Sequence, residues 1–454
     1  MTRSEKRRRA SRRLWCVVGA LALVLPSGAS GQDAPTVPKL LRLADAIRIA
    51  LEGSTQVGSD EAQLDAARKA RSAALFALGP DLSVSASRRA STTTQKGVVI
   101  DSMTVRDVEE ETKSTNYNAS SSVRLFDGLA NFARLSAARH DVRADEHALA
   151  YTRQQVQENV VSAYYNLMRA QLLLKVAEEA ESVAREQLER TQALYELGSA
   201  ARSDVLKSQV QHGNTRLELV RARNNERQSH VDLEFTMNLT TSVEFEIDTT
   251  VTQIGDDQVD YESERARALT DRENLLSLRH RERAADRRVW AARGALLPTV
   301  DFQYSLSRSR NPTRFRVGGE EQDSRDWAFF ANWNIWDRYQ NYANIAQARA
   351  SARQSEFSRR QAELDAIREV RQLVNSLGEA RERLAVAREN VARSREDLRL
   401  AQEKFRVGAG TILDTITAES DLTSTRANEV QAVVDFLIAR ANLARATGRD
   451  FSEL

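Results

Sequence analysis

Two stretches of the chain match each other at an offset of 210 residues. Phe126-Asp127 returns as Trp336-Asp337, Tyr195-x-x-Gly198 as Phe405-x-x-Gly408, and Asp204 as Asp414. Over roughly eighty positions between these marks no residue is gained or lost. Solenoid units run to about 20–50 residues, so this is a duplicated half-protein and not a solenoid. Whatever one half builds, the other must build again. The reading divides the chain into a leader (1–31), a first structural repeat (32–240), an equatorial linker (241–261) and a second repeat (262–450).

The leader has the plan of a bacterial secretory signal. Seven basic side chains lie within residues 3–13, Leu14 to Leu25 form an apolar run of 12, and small residues follow from Ser27 to Gly31. That run is too short to span a bilayer as a mature helix. Without residues 1–31 the chain holds 59 basic and 63 acidic groups, a net charge of −4. The only cysteine, Cys16, lies inside the apolar run. A lipid-attachment cysteine would follow the run, so no lipid anchor is expected, and no disulfide either. Beyond the leader no stretch of 18 apolar residues occurs, so entry into a membrane requires a β-barrel.

Long helices fit the remaining composition: 29% of residues are charged, only 6% are aromatic, and there are 6 prolines. The 58 arginines stand among Glu and Asp at helical spacings, which describes a solvated ion-pair surface and not a nucleic-acid site. Residues 40–78 carry a helical pattern that stops at Gly79-Pro80. The period then changes to two: Leu82, Val84 and Ala86 alternate with serines, and Tyr117, Ala119, Ser121, Val123 and Leu125 resume the alternation after a polar segment at 91–116. This predicts two antiparallel strands joined by a long exposed loop.

From Asp127 a helical stretch runs to about Leu197 with a heptad, Ala163, Ala170, Ala177 and Ala184 in one row and Leu167, Leu174, Leu188 and Tyr195 in the next. Small residues beside large ones suit a close antiparallel coiled coil. Gly198 to Ser203 break it, and Asp204 is expected to cap a return helix of about 35 residues. The outgoing helix, of about 70 residues, would be about 105 Å long. The return helix covers half of it, so the 40–78 helix must line the other half. The second repeat follows the same plan, with Val300, Phe302, Tyr304 and Leu306 on one strand face and Trp327, Phe329, Ala331, Trp333 and Ile335 on the last.

Each chain therefore offers four strands of about ten residues, the length that crosses a bilayer when tilted. Tyr117, Phe126, Phe302, Tyr304, Trp327, Phe329, Trp333 and Trp336 are candidate membrane-interface aromatics. Four strands cannot enclose a lumen, so several chains must share one barrel. A small soluble β-sandwich packed on the helices is the alternative. No nucleophile elbow, P-loop, CxxC or HExxH pattern occurs. His140 and His147 share a helix face without an evident third ligand. No enzyme, metal or cofactor is expected. The turns at 195–205 and 405–415 share an aromatic, a glycine and an aspartate at equal spacing, which suits helix caps but does not explain the equal turn lengths.

The duplicated set resembles the TolC family of bacterial outer-membrane efflux and secretion channels. It rests on LRLADAIRIALEG (41–53), the Leu-x-Pro and Leu-Leu-Pro strand entries, LFDG (125–128) with IWDR (335–338), and the two tips, and it covers the whole chain after the leader. The resemblance implies a mainly α fold with a β-barrel contribution: a homotrimer with 12 strands in the outer membrane and a helical tunnel in the periplasm. It implies an export duct for efflux or type I secretion. The partners would be a periplasmic adaptor and an inner-membrane pump of the RND, ABC or MFS type. Tyr195, Gly198, Phe405 and Gly408 would belong to the adaptor-facing tips, and Asp204 and Asp414 to the tunnel entrance. The chain departs from the family's best-known members at Thr417, Phe405 and Gly410, where they carry an acid, a tyrosine and an arginine. A periplasmic coiled-coil adaptor or structural protein is the alternative.

Overall fold

A computed structural model of the chain describes residues 38–101, 104–241, 243–248, 259–311 and 320–449. The leader at 1–31, with Cys16, lies outside the described residues, as does the middle of the linker at 249–258. The elements in order are β1 (Leu40–Leu41), α1 (Leu43–Gly53), α2 (Thr55–Phe76), β2 (Asp81–Asp101), β3 (Thr104–Phe126), α3 (Ala130–Glu196), α4 (Arg202–Thr236), β4 (Glu246–Ile247), α5 (Tyr261–Asp271), α6 (Glu273–Gly294), β5 (Thr299–Asn311), β6 (Glu320–Asn332), α7 (Gln340–Arg406) and α8 (Ile412–Ala446).

The duplication is visible residue by residue. The long helices α3 and α7 each have 67 residues and the return helices α4 and α8 each have 35, all starting 210 residues apart. Ahead of the strands the repeats match at an offset of 218, from α1 against α5 to β2 against β5. The difference of eight residues resides in the first hairpin, which is the longer one.

At 1.5 Å per residue each long helix spans about 100 Å. As the length argument requires, α1, α2 and α4 all pack on α3. Thr152 and Arg153 of α3 bond to Asp60 and Glu61 of α2, and nearer the tip His212 and Ser208 of α4 bond to Glu181 and Thr191. In the second repeat α8 and α6 take these places along α7. The predicted heptad is the buried seam: Leu377, Ala380, Leu384 and Ala387 of α7 pack on Ala432 and Phe436 of α8.

The single helix expected over 40–78 is broken. Ser54, extended at φ −69° and ψ 116°, ends α1 and accepts the Val57 N–H at 3.3 Å to start α2. Arg272 makes the same break in the second repeat.

β2, β3, β5 and β6 form one antiparallel sheet in that order. Its register places Leu82, Ser121, Tyr304 and Trp327 in one row, and Val123, Phe302 and Phe329 in the next on the same face. Ser83, Ser120 and Ser305 fall on the opposite face. The predicted alternation thus gives the sheet one apolar and one polar side.

Two expectations need correction. The polar segment 91–116 is not a loop: β2 and β3 run through it as 21- and 23-residue strands, because Thr92 to Thr94 pair with Glu111 to Glu109. Serine, threonine and charge are compatible with a ladder whose faces both meet solvent. Trp333 and Trp336 do not lie on β6, which ends at Asn332.

Candidate functional site

The two tips are built by the same backbone geometry. Gly198 and Gly408 sit at φ +75° and +76°, the left-handed conformation that a residue after a helix end takes most readily as glycine. Ser199 N–H donates back to the Leu194 carbonyl at 2.8 Å, and Ala409 N–H to that of Lys404 at 2.9 Å. Equal turn lengths follow from this shared closure. Tyr195 is exposed and Phe405 half-buried; Leu197 and Val407 project at 78% and 68% exposure. At Gly410 a Cβ would lie 3.0 Å from Lys404 Cβ, so any side chain there would press on the last turn of α7.

The aspartates at the tips differ. Asp414 closes a capping box: its carboxylate accepts from the Thr411 N–H and hydroxyl, both at 2.8 Å, while Thr411 Oγ1 accepts the Asp414 N–H. Bonds donated by Thr411, backbone first, hold the Asp414 carboxyl below its ordinary range. Asp204 is not the cap expected of it. Ala201 is the N-cap of α4 and has no side chain to accept; Asp204 contacts Ser203 and Lys207 instead.

Behind the tips the seams also diverge. Gln187, Thr191 and Ser208 form a buried hydrogen-bonded set between α3 and α4. Between the hairpins, Glu419 of α8 is 9% exposed, and burial pushes its carboxyl up to about 7 despite the charge of Arg190. Thr415, one turn away, is buried with its hydroxyl unpartnered. The sequence holds no mark that separates Glu419 from other helical glutamates.

At the strand end of the helices, each repeat turns from strand to helix on an aspartate. Asp127 accepts the Asn131 N–H at 2.9 Å and Asp337 that of Asn341 at 2.6 Å. Gly128 at φ +67° lies so close to α6 that a Cβ would meet the Gly294 carbonyl oxygen at 2.5 Å. Arg338 occupies the matching left-handed position at φ 56°.

The candidate aromatics are ordered by height on the sheet. Phe126, Trp333 and Trp336 lie at its helical end; Phe302 and Phe329 meet above them in a tilted pair with centroids 4.9 Å apart; Tyr304, Trp327 and Tyr117 follow. Arg325 stands opposite Leu306 and Arg308 follows it, ending the apolar face on β5 and β6. Val300 to Leu306 rise about 20 Å at 3.4 Å per residue, close to the roughly 25 Å band of barrel proteins.

A third imidazole joins the pair seen in the sequence. His280 of α6 stands between His140 and His147 of α3, with ring centroids 5.5 Å from each, and its Nδ1 is 3.3 Å from that of His140. His147 contacts Glu273 at 2.6 Å. Burial and the neighbouring His147 and Arg283 push His280 down to about 4. Sequence reading missed it because the pairing of α3 with α6 brings together residues 140 positions apart. Among the described residues, no group of three or more His, Cys, Asp or Glu is placed to hold a metal ion, and no helix is long and apolar enough to cross a membrane.

Comparison with known proteins completes the site. A family model described as "Outer membrane efflux protein" matches residues 46–239 and 265–449. No curated protein matches the chain by sequence. Among solved structures, the outer-membrane channel OprN is 21% identical over 90% of both chains, with a TM-score of 0.75. CusC, titled for its transmembrane channel formation, is 17% identical over 92% of this chain and 96% of its own, at 0.77. The CmeC outer membrane channel of Campylobacter jejuni is 15% identical over 94% and 93%, at 0.75. At these identities the likeness is one of fold.

Proposed function

The chain belongs to the outer membrane efflux protein family, and on that premise we propose that three copies close into one tube that conducts cargo out of the periplasm. The chain is a subunit of an outer-membrane export duct. The observation that supports the trimer is the sheet: four strands, one apolar face, and two edges, β2 and β6, without neighbours among the described residues. A sheet this small cannot enclose a lumen, and open edges inside a bilayer would leave backbone groups unsatisfied. Joining β6 of one copy to β2 of the next removes every edge. Three copies give 12 strands, with the helices forming the periplasmic part. The alternative of a periplasmic adaptor is not favoured, because the family match takes in both repeats.

In this reading the duct is passive, and no catalytic step is assigned to it. Tyr195, Gly198, Phe405 and Gly408 mark the tips that dock a periplasmic adaptor, which couples the duct to an inner-membrane pump of the RND, ABC or MFS type. Asp204 and Asp414 stand at the entrance. The aromatics from Phe126 to Trp336 rest against outer-membrane lipid.

Fractionation tests the trimer: a heat-modifiable trimer in the outer membrane that conducts in planar bilayers is expected, and release of a monomer by osmotic shock would overturn it. Docking is tested by cross-linking. Cys16 is the only cysteine and lies in the leader, so Ser199→Cys or Ala409→Cys provides a single reporter. No cross-link to a co-expressed cognate adaptor would remove the tips from the interface.

A further inference from the structure

Many arginines on these helices are paired with carboxylates. On α6, Arg281 meets Asp145 at 3.8 Å and Arg288 meets Asp141 at 2.7 Å; Arg279 reaches Glu363 across to α7. One groove gathers five that are not, around a single tryptophan. Arg283, Arg287 and Arg293 of α6 and Arg349 and Arg353 of α7 line a groove of about 560 Å³ around Trp290. Among the described residues none of the five has a carboxylate in ion-pair contact. Of the three acids at the groove, Glu282 and Glu356 are already held by Arg359 and Arg360, and the exposed Asp286 leaves an excess of positive charge. Arg293 lies over the Trp290 ring at 4.8 Å, and its buried Nε has no hydrogen-bond partner.

Trp290, Arg287 and Arg293 also line a second hollow of about 390 Å³ on the α3 side. Its other wall is apolar, with Leu129, Phe132 and Leu297 at 61%, 60% and 48% exposure. The two hollows thus form one surface, cationic on one side and apolar on the other. Along α6, Trp290 stands nine residues before the start of β5, Arg287 twelve and Arg283 sixteen, so the surface lies on the helical side of the apolar sheet face. The groove falls between α6 and α7 of one chain. The repeat does not duplicate it: 218 residues earlier α2 carries Asp65, Lys69, Ser72 and Leu75 in place of Arg283, Arg287, Trp290 and Arg293.

We infer that this surface binds the phosphate headgroup of an anionic glycerophospholipid at the inner boundary of the outer membrane. Guanidinium groups present several donors to a phosphate, and an indole suits the interface between headgroup and acyl chain. The apolar wall takes the glycerol and first acyl carbons. Uncompensated arginines near a bilayer surface favour anionic over zwitterionic lipid. The inference rests on the membrane reading of the sheet above.

The test uses the full-length trimer in nanodiscs of phosphatidylcholine with a minor share of phosphatidylglycerol, read by lipid retained after exchange into detergent. Wild type is expected to retain phosphatidylglycerol about tenfold over its share. Arg287→Gln with Arg353→Gln should bring retention to parity, and Arg288→Gln, which removes a paired arginine on the same helix, should leave it enriched. Competition by phosphatidylglycerol but not by millimolar inorganic phosphate supports a lipid site. Unchanged retention in the double variant overturns the inference, and so does an unchanged retention accompanied by altered anion selectivity, which would mean a cargo-facing patch. A wild-type protein that neither assembles nor conducts would instead overturn the membrane reading itself.

Discussion

Gly128 shows how one residue serves two demands. Its φ of +67° and the 2.5 Å approach to Gly294 leave no room for a methyl group. Gly128→Ala should therefore destabilise the junction by roughly 2–4 kcal/mol, the range of severe steric substitutions, seen as a lowered melting temperature of the assembled protein. The sequence shows Gly128 plainly in LFDG, yet Arg338 in the matching IWDR explains why only one repeat needs glycine: the close approach exists at one junction. His280 makes a different point. Its ring is kept neutral by burial and then by the groups around it, His147 on α3, Arg283 on α6, and His140 and Arg143 on α3. A folded-state value near 4, below the unfolded value, means full stability above about 6.5 that is lost as pH falls toward 4. Melting measured across that window should decline for wild type and much less for His280→Phe. Equal slopes would sink the role.

At the scale of elements the repeat predicts lengths well and ends less well. Helical period and strand alternation are local, so the long helices, the return helices and the sheet faces were legible. The breaks at Ser54 and Arg272 were not, because each interrupts an otherwise continuous periodic pattern. The extension of β2 and β3 was hidden by composition, since polar strands differ from loops only in what they pair with. The tips differ by a cap. Thr411→Ala should cost α8 about 1 kcal/mol at its first turn, while Ala201→Ser on α4 should gain a comparable amount; hydrogen exchange at 202–206 and 412–416 reads both. Along the seam, Glu419 has a folded value near 7. Its contribution is present below the unfolded value of about 4.3 and lost as pH rises through 7. Protection factors of α8 amides, taken relative to intrinsic exchange at each pH, should then fall between pH 5 and 8 in wild type and hold constant in Glu419→Gln.

The whole molecule is fastened at its middle by charge. Arg272 and Arg445 both grip Glu369 of α7, at 2.6 and 2.5 Å, and Arg445 also holds Glu158 of α3 at 2.7 Å. Beside them β1 pairs with β4, so part of the expected linker is docked, with Phe245 and Ile247 buried. In a trimer Asp414 would recur three times around the entrance. Asp414→Asn keeps an oxygen for the Thr411 N–H and removes the charge, so cation selectivity in planar bilayers should fall while the fold stays. Unchanged selectivity would confine Asp414 to capping.

The sequence alone determined the duplication, the helical and strand periods, the two-faced sheet and the absence of catalytic patterns, because each is written in spacing along the chain. It also carried the family likeness through the duplicated set of marks. Only the tertiary structure decided which residues meet across the repeats, namely the third imidazole, the buried Glu419 and the Gly128–Gly294 contact, and which gather within one, the five arginines around Trp290. Those depend on which helix faces pack together, and packing joins residues that no local period relates.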